Sequence, residues 1–309
     1  MSIASPAEVL GAAPARRPVS GAAGRLRSGA RRLRKSPRML TGVVIIAFFV
    51  LLAIFGPLFV HNPNSFVGPS LHAPTAKFWL GTTQSGQNVL SQLIVATRST
   101  LEVGFAAAVI ATVVALVIGI GGGFLGGISD DALNLLTNIV LVIPVLPLVI
   151  IIAAYLKSGG LGPTIFVIAV TSWAGSARVL RGMTLSLRSR DYVLAARVSG
   201  ERTWRIVVVE ILPNLSAFII SGFIFTVIFA ILTQAGLAFI GLESPDTLTW
   251  GNMLYFAQND EALSSGAWWW FVPPGLCIAL VGTGMSLINF GLDEILNPRL
   301  RMYRAPKSR

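Results

Sequence analysis

Residue types that usually perform catalysis or bind metals are scarce in this sequence of 309 residues. The single cysteine, Cys277, excludes a disulfide framework and a metal site built from several cysteines. The two histidines, His61 and His72, are too few for a histidine-based zinc or iron site. Both lie outside the long apolar segments of the chain, which are described below. No Ser/His/Asp catalytic set can therefore form inside a membrane. The sequence therefore predicts no catalytic residue, no metal site and no cofactor held by this chain.

A glycine-rich run, GIGGGFLGG at residues 119–127, formally matches the G-x-G-x-x-G pattern of nucleotide-binding loops. It follows an apolar segment instead of a strand, and no G-K-S/T follows it, so the nucleotide interpretation fails. Gly119, Gly123 and Gly127 repeat every four residues, a spacing that lets membrane helices pack closely. We therefore predict that these glycines let helices or a tight re-entry pack closely. Because no nucleotide site is found, energy for any work must come from elsewhere.

A charged stretch interrupts the apolar chain at residues 191–214, DYVLAARVSGERTWRIVVVEILPN. We expect Asp191 to be the N-cap of a helix of two turns, and Gly200 to break or bend the chain. A second helix from about 201 to 212 would then lead to Pro213 at the start of the next apolar segment.

The first of these helices carries two small residues, Ala195 and Ala196, beside Tyr192 and several arginines. Such a surface suits docking into a groove of a partner protein. An ordinary solvated loop explains the same residues equally well, so the spacing alone leaves both interpretations open.

The rest of the chain has the composition of a membrane protein. Hydrophobic residues make up 54% of it, charged residues only 12%, and the mean hydropathy is +0.74. Soluble domains carry about twice that charged fraction, and a helix needs about 20 apolar residues to cross a bilayer. The sequence therefore predicts an all-α polytopic membrane protein with six transmembrane helices. The six apolar segments are roughly 40–60, 101–126, 133–155, 162–182, 214–240 and 269–292.

The basic residues predict the orientation of these spans. Twenty-one of the 24 lysines and arginines lie before the first span, in the loop between the fourth and fifth spans with its flanks, or after the sixth. With a cytoplasmic N-terminus all three regions lie in the cytoplasm, as the positive-inside rule requires. Topology thus explains the net charge of +11, and no aromatic-interleaved basic motif supports nucleic-acid binding. We predict a multi-pass protein of the cytoplasmic (inner) membrane with both termini in the cytoplasm.

These boundaries divide the chain into five regions. They are a basic cytoplasmic tail (1–38), a first transmembrane helix (39–60), an extracytoplasmic segment (61–100), a five-helix core (101–292) with a cytoplasmic loop (183–213), and a cytoplasmic C-terminal tail (293–309). The extracytoplasmic segment is expected to end in a separate short amphipathic helix with Leu90, Leu93 and Ile94 on one face. That helix would lie at the membrane interface or pack on the bundle.

If the predicted spans enclose a pathway for a solute, few polar side chains lie near it. The middles of the spans lack ionisable side chains, which argues against an ion- or proton-coupled carrier. Asn138, Gln234 and Asn289 are the polar residues that we expect closest to a pathway, although each could equally form a hydrogen bond between helices. A last external segment, 241–267, has no basic residue. Its acidic residues, which could receive a partner or simply be solvated, are Glu243, Asp246, Asp260 and Glu261.

The charged stretch resembles the EAA loop of ABC-importer permeases. Leu194-Ala195-Ala196 stands at the E-A-A position, followed by Gly200 and by I-L-P at 211–213. Further segments are similar to the second permease of dipeptide, oligopeptide and nickel importers, and the resemblance covers about residues 36–303. These segments are FWLGTTQSGQNVLSQLIVATRSTLEVG (78–104), WAGSARVLRGMTLSLRSRDYVLAA (173–196), LAFIGLESPDTLTWGNML (237–254) and NFGLDEILNPRLR (289–301). Thr83, Gln87 and Asn88 stand where that family has D, R and D.

The resemblance implies an ABC type I importer permease fold and a non-catalytic chain. It implies a second homologous permease, two ATPase subunits that bind ATP and Mg, and an extracytoplasmic peptide-binding protein, all meeting at the bilayer. The solute would be a di- or oligopeptide, with nickel or another small solute as the alternative; a stand-alone channel or secondary carrier is a further alternative. The residues implied in ATPase coupling are Asp191, Tyr192, Ala195, Ala196, Gly200 and Arg205.

Overall fold

The computed structural model describes residues 37–60, 62–156 and 160–296, and the regular secondary structure within these ranges is helical apart from two isolated β-bridges. Most of the two basic tails and His61 therefore lie outside the described residues. In chain order the elements are α1 (Pro37–Phe59), α2 (Val89–Leu125), α3 (Gly127–Val142), α4 (Val145–Tyr155), α5 (Gly162–Ser172), α6 (Ala174–Arg188), α7 (Asp191–Val198), α8 (Thr203–Arg205), a π-helical turn (Ile206–Ile211), α9 (Leu212–Phe239), α10 (Trp250–Asn259) and α11 (Trp268–Leu296).

Six spans can be counted in the described part of the chain. Five continuous helical runs are long and apolar enough to cross a bilayer, and α3 with α4 supplies the sixth as a bent pair. The predicted all-α fold with six transmembrane helices is confirmed. The third span is not straight, because α3 and α4 meet at 90°. Ile143 lies at this break with an extended backbone (φ −74°, ψ 125°), the conformation that a following proline, here Pro144, favours.

The predicted separate helix at the end of the extracytoplasmic segment is wrong. Residues 89–125 form the single helix α2, whose N-cap Asn88 accepts hydrogen bonds from the backbone N–H groups of Leu90 (2.9 Å) and Ser91 (3.3 Å). Leu93 is buried in the core, and Ile94 occupies the space left by the missing side chain of Gly56 in α1. At 1.5 Å per residue, α2 is about 55 Å long, well beyond the roughly 30 Å of the hydrocarbon core.

Glycines allow α2 and α6 to approach each other closely. A Cβ atom on Gly119 would lie 2.5 Å from the carbonyl oxygen of Ala177, and one on Gly123 would lie 3.0 Å from that of Arg181. The predicted packing role is therefore confirmed for these two glycines. It is wrong for Gly127, where a Cβ would meet no atom within 4 Å and the backbone is left-handed (φ +66°).

Arginines of α6 tie the same helices together at the end of α2. Arg181 donates two hydrogen bonds to the carboxylate of Asp130 in α3, at 2.6 Å and 2.9 Å. Arg188 donates from Nη1 to the carbonyl oxygen of Gly123 (3.0 Å). A bidentate guanidinium–carboxylate pair fixes direction as well as distance, so the ends of α2, α3 and α6 form one unit.

A separate layer covers the opposite end of α2. Trp250, the first residue of α10, is fully buried; its backbone N–H donates to the hydroxyl of Thr100 (3.0 Å) and its indole N–H to the carbonyl of Leu93 (3.3 Å). Trp269 of α11 donates its indole N–H to the carbonyl of Thr82 (3.2 Å). Because these partners lie in α2 and in the segment before it, the layer explains why the polar start of α2 is helical and packed.

The close approach of α2 to α6 predicts a position-dependent effect of added side chains. We expect Gly119→Val to lower the free energy of unfolding by about 1–3 kcal/mol, because its side chain would overlap α6. Gly121→Val in the same helix is the matched control, since a Cβ there meets no atom within 4 Å. Thermal unfolding of both variants in detergent checks this expectation. Equal losses in the two variants would contradict it.

Candidate functional site

The charged stretch forms a helix whose start differs by one residue from the prediction. Arg190 is the N-cap residue, with an extended backbone, and Asp191 is the first residue of α7, so the predicted capping role of Asp191 is wrong. A carboxylate in the first turn still interacts favourably with the helix dipole. The predicted bend at Gly200 is confirmed, because its φ is +75° and the next N–H, that of Glu201, reaches back to the carbonyl of Ala196 (3.1 Å).

Two contacts attach α7 to the rest of the bundle. The guanidinium of Arg197 lies over the ring of Phe124, the penultimate residue of α2, at 4.7 Å from its centroid. Val193 is fully buried in a cluster with Phe124 and Leu180 of α6. Cation–π contacts contribute about 0.5–1 kcal/mol at exposed sites, so the buried valine and the arginine together fix α7 against α2 and α6.

The predicted second helix, 201–212, takes a different form. The structure has the short turn α8, a π-helical turn and then α9, with no interruption of the helical path. At the end of the π turn the N–H of Leu212 bonds to the carbonyl of Val207, five residues back. Pro213 follows in the first turn of α9 and has no N–H for an α-helical bond. One α-helical hydrogen bond is therefore missing at this point in any case, and the wider turn lies directly before it.

Between α7 and the π turn lies a small groove of about 170 Å³. The ion pair of Arg205 with Glu201 lies on its edge. Of the residues predicted to couple to an ATPase, the structure brings Ala196 and Arg205 together in this groove. Its lining includes Ala196, Ser199, Glu201, Arg205, Val209 and Glu210.

Beside the groove, α7 and α8 expose apolar side chains. Val198 is 90% exposed, Trp204 61% and Leu194 45%. Tyr192 and Ala195, both predicted, are also exposed. We call these five residues the α7 surface. The sequence analysis did not single out Val198 or Trp204, although large apolar residues inside a charged loop are a signal for docking.

The three polar residues predicted near a pathway lie in different surroundings. Asn138 of α3 accepts a hydrogen bond from Arg178 of α6 (2.7 Å), a contact between helices. Asn289 of α11 is buried, and within the described part of the chain its Oδ1 has no hydrogen-bond partner. Gln234 of α9 is fully buried and donates to Glu243 and Thr249. The structure does not bring these three together.

An open groove of about 470 Å³ lies along α5, α6 and α9, and none of those three residues lines it. Its wall combines hydroxyls with aromatic rings. The hydroxyls of Thr171 and Ser172 donate hydrogen bonds to backbone carbonyls of α5. Helices α6 and α9 come close where Gly222 faces Ser176. Sequence reasoning missed this surface because hydroxyls in apolar helices give no local signal. Its lining includes Thr171, Ser172, Ser176, Ser221, Phe225 and Phe229.

Comparison with known proteins gives the family. Residues 115–302 match the family described as binding-protein-dependent transport system inner membrane component, and residues 25–78 match the N-terminal TM domain of oligopeptide transport permease C. The chain belongs to the first of these families. This permease is therefore a membrane component of a transport system, and the family is non-catalytic.

Three relatives span most of the permease. The dipeptide transport system permease protein DppC of Bacillus subtilis is 33% identical over 279 residues, covering 88% of this chain and 85% of that protein. The oligopeptide transport system permease protein OppC of Bacillus subtilis is 32% identical, covering 87% and 88%. The di/tripeptide transport system permease protein DppC of Pseudomonas aeruginosa is 32% identical, covering 85% and 88%.

Gln234 belongs to a buried polar cluster at the end of the bundle opposite α7. Its Nε2 donates to Glu243 Oε2 (2.6 Å) and to Thr249 Oγ1 (2.9 Å), and the Thr249 hydroxyl donates to the same carboxylate oxygen (2.9 Å). Within the described residues, the Oε1 atoms of Gln234 and Glu243 are buried without partners. Burial raises the pKa of Glu243 to about 7, although the hydrogen bonds from Thr249 and Gln234 lower it.

The raised pKa of Glu243 predicts how stability depends on pH. The folded chain holds this proton more tightly than the unfolded chain, whose carboxyl titrates near 4.5, so stability is greatest below that pH. The contribution of this group to stability, up to roughly 3 kcal/mol, is lost as pH rises from about 4.5 through about 7. We expect Glu243→Gln to remove this part of the pH dependence, as measured by thermal unfolding between pH 4.5 and 8. The exposed Glu261→Gln is the control, and curves for Glu243→Gln and the native chain that stay parallel would refute the assignment.

Proposed function

We propose that the permease forms half of the translocation pathway of an ATP-driven importer for di- or oligopeptides. The observation that carries this proposal is the α7 surface: exposed apolar residues on α7 and α8, with α7 held against α2 and α6. Such a surface suits a partner subunit that moves, and the names of the relatives associate such permeases with peptide transport. Those names favour peptides over nickel.

The proposed function requires several partner proteins. Two ATPase subunits with ATP and Mg bind from the cytoplasm, a second homologous permease completes the pathway, and an extracytoplasmic binding protein delivers the peptide. Asp191, Tyr192, Ala195, Ala196, Gly200 and Arg205 are the proposed coupling residues, to which we add Leu194, Val198 and Trp204. ATP can switch the permease pair between inward- and outward-facing states only if the two states differ in affinity for ATP.

The hydroxyl-lined groove along α5, α6 and α9 is the proposed wall of the pathway, facing the second permease. Hydroxyls and aromatic rings can contact a peptide backbone and varied side chains without strong selection. Selection among peptides then lies with the binding protein. Because α6 continues towards α7, a movement of the coupling residues is passed directly to this wall.

The proposed orientation places α7 in the cytoplasm and the layer around α10 outside. The support is the positive-inside distribution of basic residues. We expect a cysteine at Ser189 to react with a membrane-impermeant maleimide only after the membrane is opened. A cysteine at Ser264 should react in intact cells, with Cys277→Ser as the common background. Labelling of both positions from outside would refute the orientation.

Transport and coupling are tested together in cells that lack this gene. We expect uptake of labelled di- to pentapeptides to be lost, nickel uptake to be unaffected, and the native gene to restore peptide uptake. Gly200→Val should restore less than roughly a tenth of that uptake, because a β-branched residue is strained at positive φ. Gly200→Asn is the matched control, since asparagine tolerates this conformation and no atom lies within 4 Å of an added Cβ.

Three results would contradict these expectations. Loss of nickel uptake with peptide uptake intact would refute the peptide assignment. Full uptake with Gly200→Val would remove the bend from the coupling mechanism. Equal loss with valine and asparagine would show that the glycine is needed for a reason other than its backbone conformation.

A further inference from the structure

A polar cavity of about 390 Å³ lies at the end of the bundle opposite α7. It is bounded by the segment before α2, the loop before α10, the end of α10 and the start of α11. Under the proposed orientation it opens to the outside. Its polar lining includes Asn64, Gln87, Gln92, Asp246, Asp260 and Trp270.

The cavity carries negative charge that no basic residue of its described lining neutralises. Asp246 and Asp260 line it, and no lysine, arginine or histidine is among its described lining residues. Neither carboxylate takes part in an ion pair or a side-chain hydrogen bond within the described chain, whose two salt bridges are elsewhere. Partial burial raises the pKa of Asp260, so this carboxylate is already partly desolvated and would gain from a cation.

A second, independent feature of the cavity is an unused hydrogen-bond donor. Trp270 is only 3% exposed, and its indole N–H has no partner among the described residues. The neighbouring Trp269 and the equally buried Trp250 both donate their indole N–H groups to carbonyls. A buried donor without an acceptor costs about 1–3 kcal/mol. Because Trp270 is part of the cavity wall, a small movement of its ring would let a carbonyl oxygen of a ligand accept from this N–H and recover that free energy.

The two other acidic residues of segment 241–267 do not share this site. Glu243 is buried in the cluster with Gln234 and Thr249. Glu261 is exposed, in a turn with φ +55°. The structure thus separates four acidic residues that the sequence could only group together.

The walls of the cavity are held in place before any ligand arrives. Gln92 Nε2 donates to Gln87 Oε1 (2.7 Å), and Gln87 Nε2 donates to the carbonyl of Asn64 (3.2 Å). Thr83 accepts the backbone N–H of Gln87 (3.1 Å) through its hydroxyl. A ligand therefore meets a preformed shape and pays little to order it.

We propose that this cavity is a socket for a basic side chain of the extracytoplasmic binding protein, with the backbone carbonyl beside that side chain accepting from Trp270. The proposal rests on the proposed function. The two carboxylates match a guanidinium or ammonium group, and the cavity lies at the face where a binding protein would arrive. The position outside the apolar spans favours a docking protein over a solute in transit.

The test uses the complete transporter in lipid nanodiscs, with the purified peptide-binding protein of the same system as the probe. ATP hydrolysis is measured against the concentration of peptide-saturated binding protein, at low and high NaCl. We expect the Asp246→Asn, Asp260→Asn double variant to raise the half-maximal concentration about tenfold at low salt. Its half-maximal concentration should also depend less on NaCl than that of the native complex. Trp270→Phe should raise it by a smaller factor at both salt concentrations, and Glu261→Gln should leave it unchanged.

The outcomes separate this proposal from the one on which it rests. If binding protein stimulates the double variant and Trp270→Phe at the same half-maximal concentration as the native complex, the socket is refuted while the proposed function stands. If the variants change only the dependence on free peptide and not on binding protein, the cavity serves the solute and the proposal is refuted. If no binding protein stimulates the native complex, the proposed function fails and the socket with it. Thermal unfolding of each variant complex excludes misfolding as the cause.

Discussion

Two helices can approach as closely as α2 and α6 do only where one of them lacks side chains. Gly119 and Gly123 provide that absence, and carbonyl oxygens of α6 fill the space. Much of the described structure at this end depends on the contact, because it brings the Gly123 carbonyl within reach of Arg188 and places Phe124 beneath Arg197. In a membrane, where apolar side chains gain little by meeting one another, such close backbone packing is a main source of helix association.

Different kinds of interaction stabilise the two ends of α2. At the α7 end, arginines of α6 and α7 satisfy a carboxylate, a carbonyl and an aromatic ring. At the other end, tryptophan N–H groups, hydroxyls and amides form buried hydrogen bonds. The first arrangement fixes α7 with its apolar residues exposed, whereas the second buries the cluster around Gln234 and borders an open cavity. One uninterrupted helix connects them.

Sequence reasoning succeeded where the determining property is local. Six apolar runs of sufficient length predict six spans, and a glycine between two charged turns predicts a bend with positive φ at Gly200. It failed where distant contacts decide. The start of α2 is polar by sequence, yet Trp250, far along the chain, covers it. Gln234 could not be assigned to its cluster without the chain reversal that brings Glu243 back. Proline marks the break between α3 and α4, but the packing around it sets the angle of 90°.

The continuity of α2 restricts how this family of chains can change in length. Thr100 holds Trp250 at one end, and Gly119 and Gly123 meet α6 at the other, all on one helix without a joint. Inserting or deleting a single residue between them would rotate one end against the other by about 100°. Both sets of contacts could not then be kept, because no loop or kink lies between them to absorb the rotation. Geometry therefore fixes the number of residues between Thr100 and Gly119 in α2.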